Sequence, residues 1–335
     1  MSGAFKHTSV LLDEVLRVMA PANGKTYIDA TFGRGGYSKA ILSACASCRV
    51  VAVDRDPDAV AVGRALEAEH PDRFKIVEAK FSEIEDVARS LGLEGVDGVA
   101  MDIGVSSIHL DDASRGFSFQ KDAPLDMRMS RDGFTAADVV NSTPESDLAD
   151  IIYRYGDERR SRRIAKEIVK RRTTAPIETT LQLASLVERV AGAPRQNRRI
   201  HPATKTFQAL RIFVNDEIHE LAFGLSGAEH ILIDGGCLAV VTFHSIEDRL
   251  TKQFFAIRSG YSTAVSRHQP PISDGRAPSF SVTSRRAIKP SNDEVAANPR
   301  ARSAKLRWGE RTGAPAFKLD LDELGIGNLP NRSAA

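Results

Sequence analysis

Asp29-Ala-Thr-Phe-Gly33-Arg-Gly35-Gly36, Asp54, Phe81 and Asp102 are the residues whose types and spacing could do chemistry together. A glycine turn between a short strand and a helix presents backbone N–H groups at a helix N-terminus. Glycine lets that backbone turn sharply and lets a ligand approach without meeting a Cβ. An acid about 20 residues beyond the glycines is placed to accept hydrogen bonds from ribose hydroxyls, and Asp54 stands there. Phe81 can lie against an adenine face. Asp102 closes the apolar run that starts at Val96. Each acid alone could equally cap a helix, but the four features in step favour an adenosine-containing ligand.

The elements that must position these residues are legible around them. Tyr27-Ile28, Val50–Asp54, Phe74–Ala79 and Val96–Ile103 read as strands. The second is almost continuously apolar, as strands buried on both faces are. Helices are expected over 8–19, 37–44, 57–69 and 82–91, with Pro57 at a first turn where a missing N–H costs little. Strands alternating with helices imply a parallel, doubly wound sheet, which binds ligands outside the carboxyl ends of its strands. The glycine turn, Asp54, Phe81 and Asp102 all fall at such ends.

The alternation then stops. Residues 105–131 read as a long ordered loop, the kind that is usually functional in a compact domain. Helices follow at about 135–141, 145–155, 158–172, 178–190 and 203–222 with no strand between them. Gly236–Phe243 resumes the strand pattern, a helix follows to about Ile257, and Ala304–Trp308 reads as a last strand. The expected fold class is α/β: a Rossmann-like sheet with an inserted all-helical domain. Residues 1–105 and 212–335 would form the sheet domain, and 106–211 the insert. Residues 259–285 read as mobile from their Ser, Pro, Gly and Arg content.

Composition sets the outer bounds. The 335 residues are 42% hydrophobic and 27% charged, ordinary for a globular chain, with a net charge of +2. No apolar run is long enough for a transmembrane helix, and the N-terminus lacks the pattern of a signal peptide, so a cytoplasmic location is the expectation. Three cysteines fit a reducing compartment. Cys45 and Cys48 form a C-x-x-C that could be redox-active or half of a zinc site, but they read more simply as two small residues near a helix end.

Two ligands compete for the adenosyl reading. The dinucleotide fingerprint wants G-x-G-x-x-G, and Gly33-x-Gly35-Gly36-Tyr37 lacks its third glycine, which weakens a nicotinamide-dependent oxidoreductase. An acid ahead of the glycines matches the motif of class I methyltransferases, with Thr31 in place of the usual first glycine. A cationic sulfonium also accounts for nearby acids better than a pyrophosphate does. The residues thus favour S-adenosylmethionine over NAD, with both still in play.

The blocks DATFGRGGYS (29–38), VDRDP (53–57), MDIGVSS (101–107), LDDASRGFSF (110–119), PLDMRM (124–129), TFQALRIFVNDE (206–217), FHSIEDR (243–249) and NPRARSAKLR (298–307) together resemble the bacterial MraW/RsmH family, the 16S rRNA cytosine-N4 methyltransferases. The match runs in order over nearly the whole chain. The resemblance implies S-adenosylmethionine as donor, a cytosine in the decoding region of 16S rRNA as acceptor, and the small ribosomal subunit as partner. It assigns cofactor contacts to Gly33, Gly35, Gly36, Tyr37, Asp54, Phe81, Asp102 and His109. Tyr37 stands where the family commonly has His, and Ile108-His109 where Pro-Gln is common; both can still offer a hydrogen bond or a stacking face.

The lone pair of a cytosine N4 amine is delocalised into the ring, so direct transfer needs alignment and an acceptor beside the amine. Asp102, Ser106 or a backbone carbonyl of the loop after Asp102 is the candidate acceptor, and no metal is required. Arginine-rich runs at 154–172, 195–211 and 285–307 suit an RNA backbone. Arg198, Arg199, Lys205, His244, Arg249, Arg300 and Arg302 are the candidate RNA contacts. His244 beside Ser and Asp lacks the G-x-S-x-G elbow of a hydrolase, and helix capping by Ser245 is slightly favoured over a substrate-facing role. A non-catalytic rRNA-binding or assembly factor stays open as an alternative, as does a homodimer.

Overall fold

Seven strands form one sheet in the order β3-β2-β1-β4-β5-β7-β6. The computed structural model describes residues 9–191, 201–260 and 275–330. Strand β1 (Thr26–Asp29) lies at the centre, fully buried, between β2 (Arg49–Asp54) and β4 (Val96–Asp102). Beyond β2 lies β3 (Phe74–Glu78), and beyond β4 lies β5 (Leu232–Thr242), all parallel. The apolar run Val50–Val53 is buried throughout, as a central strand covered on both faces requires. The last two strands, β6 (Phe280–Ser281) and β7 (Lys305–Arg311), run antiparallel. The sheet is thus parallel over five strands and closed by an antiparallel pair, a departure from a purely parallel expectation. Parallel neighbours need a crossover, whereas β7 pairs antiparallel with both β5 and β6.

The helices between the strands follow their local signals. Helix α1 (Leu12–Met19) precedes β1, and α2 (Gly36–Ala44) follows the glycine turn. Helix α3 (Pro57–Glu69) starts with proline in its first turn, and the Asp56 carboxylate caps it by accepting the Asp58 N–H at 3.0 Å. The expected helix at 82–91 is a 3₁₀ turn, Phe81–Glu83, running into α4 (Ile84–Ser90). Cys45 and Cys48, just past α2, are joined in a disulfide, whereas the sequence suggested two small unlinked residues. Cys237 is a free, buried thiol.

The chain divides into two compact units, Met1–Gly104 with His219–Gly327, and Val105–Ile218 with Asn328–Ala335. The second is helical. It contains α5 (Ser107–Asp111), α6 (Ala136–Ser142), α7 (Glu145–Gly156), α8 (Ser161–Arg172), α9 (Thr180–Ala191) and α10 (Thr204–Asn215). Within the stretch expected as a loop, Arg115 reaches the carbonyls of Arg128 and Met129 at 3.0 and 2.8 Å. Buried Leu125 and Met127 anchor the same stretch. Tyr155 donates its hydroxyl to the Pro330 carbonyl, which ties the chain's last described turn to this unit.

The expected helix at 203–222 is two helices. Asp216 adopts φ 53°, ending α10, and α11 (Glu217–Ile231) begins beyond it. Asp tolerates that left-handed conformation better than most residues. Arg211 of α10 holds Glu217 through two contacts of 2.7 Å, just before the division between the units at Ile218. The chain then continues through β5, α12 (Ser245–Arg258) and α13 (Asn292–Ala297). Of the segment expected to be mobile, 261–274 lies outside the described residues, and the remainder supplies β6. Among the described residues no helix is long and apolar enough to cross a membrane.

Candidate adenosyl site

The glycine turn is held by its own side chains. Gly33 and Gly35 have φ 55° and 77°, conformations that other residues rarely adopt. A Cβ on Gly35 would strike the Phe32 ring, and one on Gly36 would overlap Ser9 Oγ. The glycines are therefore needed to let the protein close on itself. The expectation that a ligand's approach demands them has no counterpart in these contacts. The first N–H groups of α2, at Gly36 and Tyr37, have no intrahelical acceptor, so this turn keeps donors for a ligand.

Below the turn lies Asp29, 1% exposed. Its carboxylate accepts the Ser38 hydroxyl at 2.7 Å, the Ser38 N–H at 3.1 Å and the Thr31 N–H at 3.3 Å. Burial pushes its carboxyl up to about 6, against the lowering effect of those donors. Asp29 is thus a buried brace that ties the end of β1 to the first turn of α2. Asp54, at the end of β2, accepts the Gly33 N–H at 2.8 Å and the Asp56 N–H at 2.9 Å.

Tyr37 departs from the expected role. Its ring is 3% exposed and its hydroxyl donates to the Val10 carbonyl at 2.6 Å. Burial, with Asp102 and Asp29 nearby, holds the phenol well above its ordinary value, so it stays neutral. The side chain is spent inside the fold, and only the backbone of Tyr37 remains for a ligand.

Phe81 opens the turn after β3 and packs closely against Gly224 of α11, where a Cβ would lie 2.7 Å from its ring. Glu220, one turn earlier on that helix, accepts Ser82 Oγ at 2.6 Å and Lys80 Nζ at 3.0 Å. Neither Glu220 nor Gly224 was singled out in the sequence. A glycine inside an apolar helix is the signal that could have found the second.

Asp102 ends β4, and its N–H donates to Thr31 Oγ1 at 2.6 Å, which couples it to the glycine turn. Its Oδ1 is buried without a hydrogen-bond partner. Burial first, then the charges of Asp29 and Glu247, push its carboxyl up to about 8. A buried carboxyl oxygen without a partner and with a raised proton affinity makes Asp102 a candidate for chemistry. The residues at hand suit S-adenosylmethionine: donors at the turn, an acid after β2, an aromatic after β3 and an acid able to face a cation.

Ser106 and His109 belong to the second unit, where the Ser106 N–H donates to His109 Nδ1 at 3.1 Å and the His109 ring lies 4.9 Å from that of Phe117. His244, rather than Ser245, caps α12, its Nδ1 accepting the Glu247 N–H at 3.5 Å while its Nε2 lies 2.6 Å from Glu247 Oε1. Buried Glu247 also accepts the N–H groups of Phe243 and His244 at 2.8 and 3.2 Å. Lys205 donates to the Asp157 carbonyl at 2.7 Å, at the end of α7. Arg249, Arg300 and Arg302 are exposed. Arg198 and Arg199 lie outside the described residues.

Comparison with known proteins agrees with the resemblance. Ribosomal RNA small subunit methyltransferase H of Paramagnetospirillum magneticum is 55% identical over 313 residues, covering 93% of this chain and 98% of the relative. The proteins of that name from Parvibaculum lavamentivorans and Methylocella silvestris are each 53% identical, covering 98% and 99% of this chain and 96% and 95% of theirs. The profile described as the MraW methylase family matches residues 4–312, and the chain belongs to that family.

Proposed function

We propose that this chain methylates small-subunit rRNA at the exocyclic N4 amine of a cytosine in the decoding region, with S-adenosylmethionine as the donor. Membership of a methylase family and relatives named ribosomal RNA small subunit methyltransferase H support rRNA methylation. The observation that carries the finer reading is Asp102, whose Oδ1 is buried without a partner at the end of β4. Gly33, Gly35, Gly36 and the Tyr37 backbone hold the donor's amino-acid end, Asp54 its ribose and Phe81 its adenine.

When bound, S-adenosylmethionine supplies an electrophilic methyl group on a positively charged sulfur, and such a donor calls for no metal. An amide-like N4 amine becomes nucleophilic only as it gives up a hydrogen. Asp102 in its carboxylate form accepts that hydrogen, with Oδ1 free to receive it. The positive sulfonium favours the charged carboxylate that burial disfavours, so Asp102 ionises when the donor is seated. Thr31, through the Asp102 N–H, fixes the strand end on which the acceptor sits.

The test is to incubate the protein with methyl-labelled S-adenosylmethionine and small subunits that lack the modification, then to digest the rRNA and map the label. Label on N4 of a decoding-region cytosine is expected. Label on a ring carbon or on another base, or no transfer at all, overturns the reading.

A further inference from the structure

On α3 and α4 the arginines are matched by acids. Arg64 meets Glu67 at 2.7 Å, and Arg89 meets both Glu85 and Asp86 at 2.9 Å. Helix α8 breaks that habit. Its sequence SRRIAKEIVKRR carries six cations and one acid, Glu167. Two of the six serve the fold: Arg171 donates to the Ala175 carbonyl and Arg172 to the Val140 carbonyl, both at 2.8 Å. The other four, Arg162, Arg163, Lys166 and Lys170, are exposed. None has an acid partner among the described residues.

Their placement is unfavourable for an isolated helix. Arg162, Lys166 and Lys170 recur every four residues and so lie on one ridge, where like charges repel. Ser161, Ile164, Ala165 and Ile168 are buried on the other side of the helix, so the cations face outward. Beside them, Arg163, Lys166 and Glu167 of α8 and Leu186, Arg189 and Val190 of α9 line a groove of about 530 Å³. Arg189 is also exposed and has no acid partner among the described residues. Three cations on two helices thus converge on a groove with an apolar floor.

We infer that the α8–α9 groove is a phosphate-binding track for the backbone of the rRNA substrate. This inference rests on the rRNA reading above. A chain of phosphates matches the row better than a single anion does, because Arg163 and Lys170 lie about 10 Å apart along the helix axis. Cations at both walls grip a backbone without reading its sequence. The row compensates for its own repulsion only when a polyanion lies along it.

The test compares wild type with the triple variant Arg163→Gln, Lys166→Gln, Arg189→Gln for binding to a decoding-region fragment of 16S rRNA between 50 and 200 mM KCl. Losing three phosphate contacts is expected to flatten the slope of log affinity against log salt by about 2, and to weaken binding about 100-fold at 0.1 M salt. Affinity for S-adenosylmethionine and the thermal midpoint stay unchanged. The charge-conserving set Arg163→Lys, Lys166→Arg, Arg189→Lys is expected to retain the wild-type slope. A wild-type protein that binds the fragment with a steep salt slope that the Gln variant keeps overturns the groove and leaves the rRNA reading intact. A wild type that does not bind rRNA defeats both. Tight, charge-dependent capture by phosphatidylglycerol vesicles, with rRNA binding unaffected by the Gln substitutions, would assign the row to a membrane surface instead.

Discussion

The proposed role of Asp102 makes cofactor binding depend on pH in a way that separates a charged ligand from its neutral product. Its carboxyl is pushed up to about 8 by burial and by the charges of Asp29 and Glu247. At pH 7 only about one-tenth of the free protein therefore carries an ionised Asp102, and at pH 6 about one-hundredth. A ligand that requires the ionised form sees its apparent affinity reduced by that fraction. S-adenosylmethionine, with a positive sulfonium, is such a ligand; S-adenosylhomocysteine, with a neutral thioether, is not. The sign follows from a raised acid: affinity for the sulfonium climbs about tenfold per pH unit below 8 and levels off above it. Each unit corresponds to about 1.4 kcal/mol. Titration calorimetry with both ligands at pH 6, 7, 8 and 9, run in two buffers of different ionisation enthalpy, measures affinities and proton release together. The ratio of the two affinities should change by about 50-fold between pH 6 and pH 8, with proton release on binding only the sulfonium. Asp102→Asn should flatten the ratio. Parallel slopes for the two ligands, or an Asn variant that keeps the wild-type profile, would refute the assignment of Asp102 as the group that meets the sulfonium.

Other residues give sharper structural tests. Gly224→Ala drives a Cβ into the Phe81 ring and carbonyl; overpacking of this kind costs about 1–3 kcal/mol, and urea denaturation should show that loss alongside a several-fold weaker affinity for S-adenosylmethionine. Tyr37→Phe leaves the buried Val10 carbonyl without its donor and should cost about 1–3 kcal/mol in stability, with cofactor affinity unchanged within twofold; the reverse pattern would return the hydroxyl to the ligand. Arg258 and Glu229 are both fully buried and 3.1 Å apart, so Arg258→Ala strands the carboxylate and should cost about 3–5 kcal/mol by the same denaturation measurement.

Much of the sheet unit can be read from local chemistry. Pro57, the apolar run Val50–Val53 and the glycines at 33–36 dictate their elements through backbone rules that act within a few residues. The candidate acids Asp54 and Asp102 are legible for the same reason, since each ends an apolar strand. What the sequence does not display is the second layer of contacts between residues far apart along the chain. Glu220 and Gly224 seat Phe81 from more than a hundred residues away, and Val10 turns Tyr37 inward. The break at Asp216 is hidden because a single left-handed residue interrupts an apolar period that continues on either side.

Charge is where sequence and structure differ most in what they reveal. The arginine-rich runs all suggest RNA when read as composition, yet the structure sorts them by partner. Lys305 and Arg307 of β7 both bind Asp248, at 2.6 and 2.8 Å. Arg211 is committed to Glu217, and Arg171 and Arg172 to backbone carbonyls. A cation already paired with an acid must break that pair before it can hold a phosphate, so it adds little to binding. Where cations stand in a row without acids the charge remains available to a polyanion. Among the described residues Arg162, Arg163, Lys166 and Lys170 of α8 form such a row, with Arg189 of α9 beside it. The basic tail strand, equally rich in arginine and lysine to the eye, spends its charge in holding α12 to the sheet.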